Sequence, residues 1–236
     1  MNSIRAKSNF ILFNQMPKIS TRNLTDLPSV DTLNKLLQAM ATLDTILSLD
    51  NGGAYYSWQS RWGKKQQVAQ MYDGSGDSFH AYFNSHGCLL KGFAHESTMS
   101  PYQFAPPRLW PGILENVPSV FDAALKEPSF LMSDTTFAIW RLNGDDKWQC
   151  GTIEYPDHPY ADGSEEILSI LDGRPESYVD WASEYFETDV NPEAVEHIYS
   201  LKPLDNEVVQ SLNPDATMSK LHNCFVEIGY PGVSPG

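Results

Sequence analysis

VAQMYDGSGDSFHAYFNSHGCLLKGFAHE, residues 68–96, is the stretch that decides the fold. Aromatic and aliphatic residues dominate it, and its two interruptions, Asp73-Gly74-Ser75-Gly76-Asp77 and Ser85-His86-Gly87, are short and made of turn formers. Between them Phe79, Ala81 and Phe83 fall on one side of a strand and His80, Tyr82 and Asn84 on the other. A parallel crossover needs a dozen residues or more, so connections this short predict neighbouring antiparallel strands over 66–72, 78–84 and 88–94.

Upstream, residues 54–59 form another aromatic run. Before it, Leu33, Leu36, Leu37, Met40, Leu43 and Leu47 recur at steps of three and four, which predicts an amphipathic helix. Ser29 or Asp31 can cap its start, and Asn51-Gly52-Gly53 can end it. Residues 1–28 read as a disordered tail, with a faint transit-peptide bias: Arg5, Lys7, Lys18 and Arg22 all precede the first acid, Asp26.

Downstream, Pro101, Pro106, Pro107 and Pro111 make residues 100–111 a loop or extended arm. A helix burying Val117, Val120, Phe121, Ala124 and Leu125 should follow, then strands over 135–142 and 147–155 joined by a turn at Asn143-Gly144-Asp145-Asp146. From Asp162 the period becomes helical. Ser164 is expected to cap a short helix, Pro175 to open one that buries Tyr178, Trp181, Ala182, Tyr185 and Phe186, and Asn191-Pro192 to open the next. Two more helices are expected near 206–212 and 219–228. Because the aromatics of this third need something to pack on, it should dock on the sheet. The expected class is α+β: a mostly antiparallel sheet of about six strands, packed by an N-terminal helix and an acidic C-terminal helical segment. One domain should span 29–236, with a β-rich body (54–155) and an acidic helical subdomain (162–230).

The charge is unevenly spread. Residues 1–60 and 61–150 are nearly neutral, whereas residues 151–236 hold three Lys/Arg against seventeen Asp/Glu and so carry the whole formal charge of −14. Such a field repels phosphate backbones and argues against nucleic-acid binding. It favours a basic protein partner, and the exposed acids Glu176, Asp180, Glu184 and Glu187 are the expected contacts. No apolar run approaches the roughly 18 residues of a membrane span, and the start lacks a secretory apolar stretch, so a cytoplasmic protein without membrane contact is expected. Cys88, Cys150 and Cys224 lack C-x-x-C spacing and read as reduced thiols.

Several constellations invite a chemical reading. Asp73, Ser75 and Asp77 alternate as in the opening of an EF-hand loop, but Ser78 and Asn84 stand where its Gly and Glu belong, and a hairpin turn explains the same residues. Gly74-Ser75-Gly76 lacks the strand-to-helix setting of a nucleophile elbow. His80, His95 and Glu96 are weak metal candidates with no standard spacing. Asp145 and Asp146, the first two of the three acids with Glu154, fit turn chemistry better than acid–base work. Trp58, Trp62, Trp110 and Trp148 are candidate groove aromatics; Trp62 and Trp110, beside Gly63 and Pro111, are the two expected in loops where binding residues concentrate.

The stretch 68–96 resembles the central hairpin of the SUKH superfamily (SMI/KNR-like), which includes bacterial toxin-immunity proteins and fungal cell-wall regulators. Asp73, Gly74, Gly76 and Asp77 occupy the family's turn and His95-Glu96 the strand end, and Ser177–Phe186 is similar to its closing helix. Trp110–Gly112, Leu171–Tyr178 and Glu193–Tyr199 resemble segments shared by a group of bacterial proteins to which no activity attaches. The SUKH resemblance implies a non-enzymatic, immunity-like module that occludes a basic partner and needs no cofactor. Asp73 and Asp77 then join Glu176, Asp180, Glu184, Glu187, Trp62 and Trp110 as expected partner contacts. The alternatives are a metal- or carboxylate-dependent enzyme using the His80–Glu96 region, and a small-molecule-binding regulator.

Overall fold

The computed structural model describes residues 18–49, 53–158 and 160–235. Six strands, β1 (Tyr56–Gly63), β2 (Gln66–Tyr72), β3 (Ser78–Asn84), β4 (Gly87–Phe93), β5 (Phe137–Leu142) and β6 (Gln149–Cys150), form one sheet in sequence order, with every pair antiparallel. The strands from 56 to 93 follow one another through short turns, as the quoted stretch predicts. The expected strand over 147–155 shrinks to the two residues of β6. There the segment at Gly112 closes so tightly on Gly151 and Thr152 that a Cβ on Gly151 would meet the Gly112 carbonyl oxygen at 1.8 Å.

Helix α1 (Val30–Leu47) starts at Ser29, whose hydroxyl accepts from the Thr32 N–H, and ends at Ser48, ahead of the expected glycine stop. Asn51 and Gly52 lie outside the described residues. Twelve of the eighteen α1 residues are buried, including Asp44 and Thr42, more than one apolar face supplies. The reason is its central place: the sheet lies on one side and the C-terminal helices on the other. These are α4 (Pro175–Tyr185), α5 (Pro192–Tyr199), α6 (Asn206–Leu212) and α7 (Met218–Ile228), reached after the short α2 (Asp122–Leu125) and α3 (Ser164–Ile167). Pro175 and Pro192 sit in first turns, Asn191 caps α5, and the main core runs from Leu33, Met40 and Leu43 through Phe79, Phe83 and Leu90 to Tyr178, Val195 and Phe225. The acidic third therefore joins the sheet chiefly through α1.

The second face of the sheet is covered as well. Val68, Tyr82, Leu89 and Trp140 pack under Phe121, Ala124 and Phe130, which belong to a strap of turns over 113–134. The expected single helix there breaks into a 3-10 turn (Ser119–Phe121), α2 and a second 3-10 turn (Pro128–Phe130), and Val120 points outward. Two polar groups are sealed beneath the strap. Lys91 donates to the Asp134 carbonyl at 2.9 Å, and His80 Nε2 meets the Tyr72 hydroxyl at 2.9 Å. Burial draws Lys91 down to about 8, against the pull of Asp134. Burial, helped by Lys91, draws His80 down to about 4.

Residues 18–28 belong to the body, which corrects the expected tail boundary at 28. Ile19, Thr21 and Leu27 are buried, and the Thr21 N–H donates to Ser164 Oγ. Residues 1–17 lie outside the described ones. Among the described residues no helix is long and apolar enough to cross a membrane. Cys88, Cys150 and Cys224 form no disulfide.

Candidate functional site

Two adjoining cavities, of about 420 Å3 and about 250 Å3, share Asp77 and Glu166 in their walls. Together they make a cleft between the 73–77 turn, the chain after β4, helix α3 and one face of α4. Lys18, His95, Glu96, Ser97, Tyr160 and Glu165 line the larger part; Tyr55, Tyr56, Asp73, Ile170 and Trp181 line the smaller.

Backbone chemistry brings these residues together. Asp73 Oδ1 accepts from the N–H groups of Ser75, Gly76 and Asp77 at 2.8–2.9 Å, and its other oxygen takes the Ser75 hydroxyl. Partial burial raises the Asp73 carboxyl, but these hydrogen bonds outweigh it and hold the group below its ordinary value. Asp77 Oδ1 accepts both the backbone N–H of His95 at 2.8 Å and its ring Nδ1 at 2.7 Å. The hydrogen bond to Asp77 raises the His95 pKa, and Glu96, whose Oε1 is 3.8 Å from Nε2, adds to it. Gly76, with φ +131°, lets the His95 ring lie on the turn, where a Cβ would meet the ring at 3.0 Å.

Helix α3 is brought in by a second close approach. Gly163 has φ +73°, and a Cβ on it would meet the Ala94 Cβ at 2.2 Å. Gly163 is the cap position of α3, and Asp162 rather than Ser164 supplies the side-chain acceptor: its Oδ1 takes the Ser164 N–H at 3.0 Å and the Ser164 hydroxyl at 2.7 Å. The Thr21 hydroxyl donates to the other Asp162 oxygen, and the Ser97 hydroxyl to the Ala161 carbonyl at 2.6 Å. Beside this buried network Lys18 lies 3.6 Å from Glu165, and Glu165, Glu166 and His95 line the larger cavity together.

The aromatic wall comes from α4. Trp181 lies 4.7 Å from Tyr55 and 5.5 Å from Tyr56 between ring centroids, and stacks on Tyr185 at 5.1 Å. Along the same helix Glu176, Asp180 and Glu184 are exposed, with Glu187 just beyond its end. Among the described residues none of these four acids makes an ion pair within 4 Å. Tyr185, expected in the core, is 43% exposed.

The expected residues thus divide. Asp73 and Asp77 stand in the cleft, whereas Glu176, Asp180, Glu184 and Glu187 line neither cavity and lie exposed on α4 and just beyond its end. Trp62 does not join them: it lies in β1 rather than in a loop and stacks on Phe130, on the strap side. Trp110 donates Nε1 to the Glu154 carbonyl and packs beside Phe104. Trp58 and Trp148 are core residues. His80 is not brought to His95 and Glu96; it is buried against Phe130, and no three His, Cys, Asp or Glu among the described residues are grouped to hold a metal ion. Sequence reading missed Tyr55, Tyr160, Trp181 and Glu166 as cleft residues. A usable signal is the aromatic excess of the 178–186 run, wider than one core stripe needs.

A third cavity, of about 570 Å3, lies between the 21–27 segment and β6. Its Arg141 donates to the Asp145 carbonyl and its Trp148 to the Pro28 carbonyl, and burial pushes the Cys150 thiol up, away from the reactive thiolate. Thr21, Arg141, Trp148 and Gln149 of its lining are engaged in hydrogen bonds within the fold. Comparison of the chain with protein-family models, with curated proteins and with solved structures gives no match.

Proposed function

We propose that the chain is a non-enzymatic interaction protein that binds and occludes a basic protein partner through the acidic surface of α4 and the cleft beside it. An immunity-like role of this kind is also what the SUKH resemblance of residues 68–96 implies. The observation that carries the reading is that one helix bears two things: exposed carboxylates along its surface that make no ion pair among the described residues, and the aromatic wall of a cleft that already holds Asp73, Asp77, Glu165 and Glu166. Carboxylates left exposed and unpaired cost little in the free protein and gain most when a cationic surface arrives, and a one-signed field speeds that arrival by about 10 to 1,000-fold.

The test is affinity capture from the native lysate at low salt, followed by kinetics of the captured protein against the triple variant Glu176→Lys, Asp180→Lys, Glu184→Lys. All three positions are exposed, so the fold should survive, as circular dichroism would show. The association rate should fall at least tenfold in the variant, and wild-type binding should weaken as salt rises from about 0.05 to 0.5 M, as screening shortens the reach of surface charge. Binding indifferent to both salt and charge reversal would end the electrostatic reading.

A further inference from the structure

The polar groups sealed beneath the strap of residues 113–134 suit one charge state only. His80 is 2% exposed; its Nε2 meets the Tyr72 hydroxyl at 2.9 Å, and its Nδ1 is shut off from solvent with no hydrogen-bond partner among the described residues. A neutral imidazole can leave that nitrogen as a bare lone pair. An imidazolium must donate from it, and nothing there accepts.

The neighbours sharpen the preference. Lys91 stands directly opposite His80 on β4, is equally buried, and donates to two strap carbonyls, Asp134 at 2.9 Å and Leu131 at 3.5 Å. From β2 come Gln70, opposite His80 on its other side, and Tyr72; from the strap comes Phe130, whose ring lies 5.1 Å from the imidazole. β1 adds Trp62, stacked on Phe130, and β5 adds Ala138, opposite Lys91. The Asp134 carboxylate accepts the Tyr102 hydroxyl at 2.9 Å, and the charge that acts on the His80 ring is that of Lys91. A protonated His80 would thus be a second cation, buried beside the first.

Opening the strap returns His80 to water. The closed state refuses a proton that the open state takes up, so opening becomes easier as pH falls from about 6.5 toward about 4. The strap is suited to open alone: its regular structure is two 3-10 turns and the four residues of α2, and none of its residues belongs to a strand. The opposite face of the sheet responds in the other sense. Asp44, wholly buried on α1, is raised by burial to about 7 and gains its proton as pH falls, which favours the packed state there.

We propose that the strap is an acid-released cover: protonation of His80 lifts it from the sheet while the α1 face stays closed, uncovering an apolar surface made by Val68, Tyr82, Leu89 and Trp140. The device is separate from the acidic surface of α4 and works whether or not a basic partner binds there.

Amide exchange of the full chain, followed by mass spectrometry at about pH 7 and about pH 5 and corrected for the intrinsic rate at each pH, reads the opening region by region. Phe121, Phe130, Leu131 and Asp134 carry strap amides bonded within its turns. Their protection should fall by roughly tenfold or more at the lower pH, which is still above the ordinary carboxylate range, while protection in α1 holds or rises. His80→Gln, which cannot become a cation, should flatten the strap response. Should that variant fail to fold, the wild type decides alone: strap and α1 should part, and the His80 imidazole, followed by NMR, should show no titration step near its ordinary 6.5. Strap protection indifferent to pH, a fall shared evenly with α1, an imidazole step near 6.5, or an undiminished response in His80→Gln would overturn the proposal.

Discussion

An Asp44→Ala variant is expected to lose about 3–5 kcal/mol of unfolding free energy, and Asp44→Asn much less. Asp44 is wholly buried on α1, and its oxygens serve two different neighbours: Oδ2 accepts the Tyr56 N–H at 2.7 Å and Oδ1 the Tyr178 hydroxyl at 2.6 Å. One carboxyl thereby ties the central helix to the edge of the sheet and to α4. Alanine strands both donors in the core. Asparagine can keep both contacts, its carbonyl accepting from Tyr56 and its amide donating to a rotated Tyr178 hydroxyl.

The same residue sets a pH dependence. Burial raises Asp44 from 3.8 to about 7 in spite of the hydrogen bonds from Tyr178 and Tyr56. The folded state then holds a proton that the unfolded state releases, so the stability contributed by Asp44 is complete below about 3.8 and is lost as pH rises toward about 7. His80 acts in the other direction. Its folded value is about 4 against 6.5 unfolded, so its contribution is complete above 6.5 and is lost as pH falls toward about 4. At 1.36 kcal/mol per unit each effect is of the order of 3–4 kcal/mol, and over the shared window they oppose. Wild-type stability should therefore change little between pH 4 and 6.5. Asp44→Asn should lose stability steeply with acid and His80→Gln with alkali, read as urea midpoints at each pH. Parallel curves for all three proteins would show that neither group titrates as its burial requires.

How much of this was legible in the sequence depends on the range of the interactions. The 68–96 stretch reads correctly because its turns are local: Asp73 binds three N–H groups within four residues, and short connectors leave the strands no choice but to pair as neighbours. Asn191-Pro192 and Ser29 read correctly for the same reason. The strand expected over 147–155 is cut to Gln149–Cys150, and the backbone at Gly112, some forty residues away, packs closely on the residues that follow, which no local pattern announces. The tail boundary failed because Thr21 is held by Asp162 and Ser164, about 140 residues distant, which no local pattern announces. The acids of the cleft follow this division: Asp73 and Asp77 belong to a turn and are visible, whereas Glu166 reaches the site only because Gly163 abuts Ala94. Trp181 misleads most, since a tryptophan at helical spacing with Tyr178 and Ala182 is ordinarily core, and only the neighbouring rings of Tyr55 and Tyr185 show that it forms a wall.

Phe130→Ala should release the strap from the sheet while leaving the α1 side intact. The Phe130 ring, 2% exposed, stacks on Trp62 at 5.6 Å, meets the His80 ring at 5.1 Å and approaches Tyr82 at 6.1 Å, so it joins the strap to two strands, β1 and β3. Truncating such a ring costs about 3–5 kcal/mol, transfer and cavity terms together. The polar attachments that remain are few: Asn84 Nδ2 to the Val120 carbonyl at 2.9 Å and Lys91 to the Asp134 carbonyl. The Asn84 bond is already exposed to solvent, and the Lys91 bond loses strength once water enters, because it gains from a dry surrounding. Opening of residues 117–134 is then expected well below the global unfolding free energy, as faster amide exchange there than in α1 or β3. A chemical readout separates this from general loosening. In the wild type Lys91 is 2% exposed and should resist acylation by an amine-reactive reagent, whereas in the variant it should be labelled while α1 stays protected. Should Lys91 remain unlabelled and exchange quicken evenly over the whole chain, the strap would not be a separable layer, and Phe130 would belong to the same cooperative unit as the helices on the opposite face.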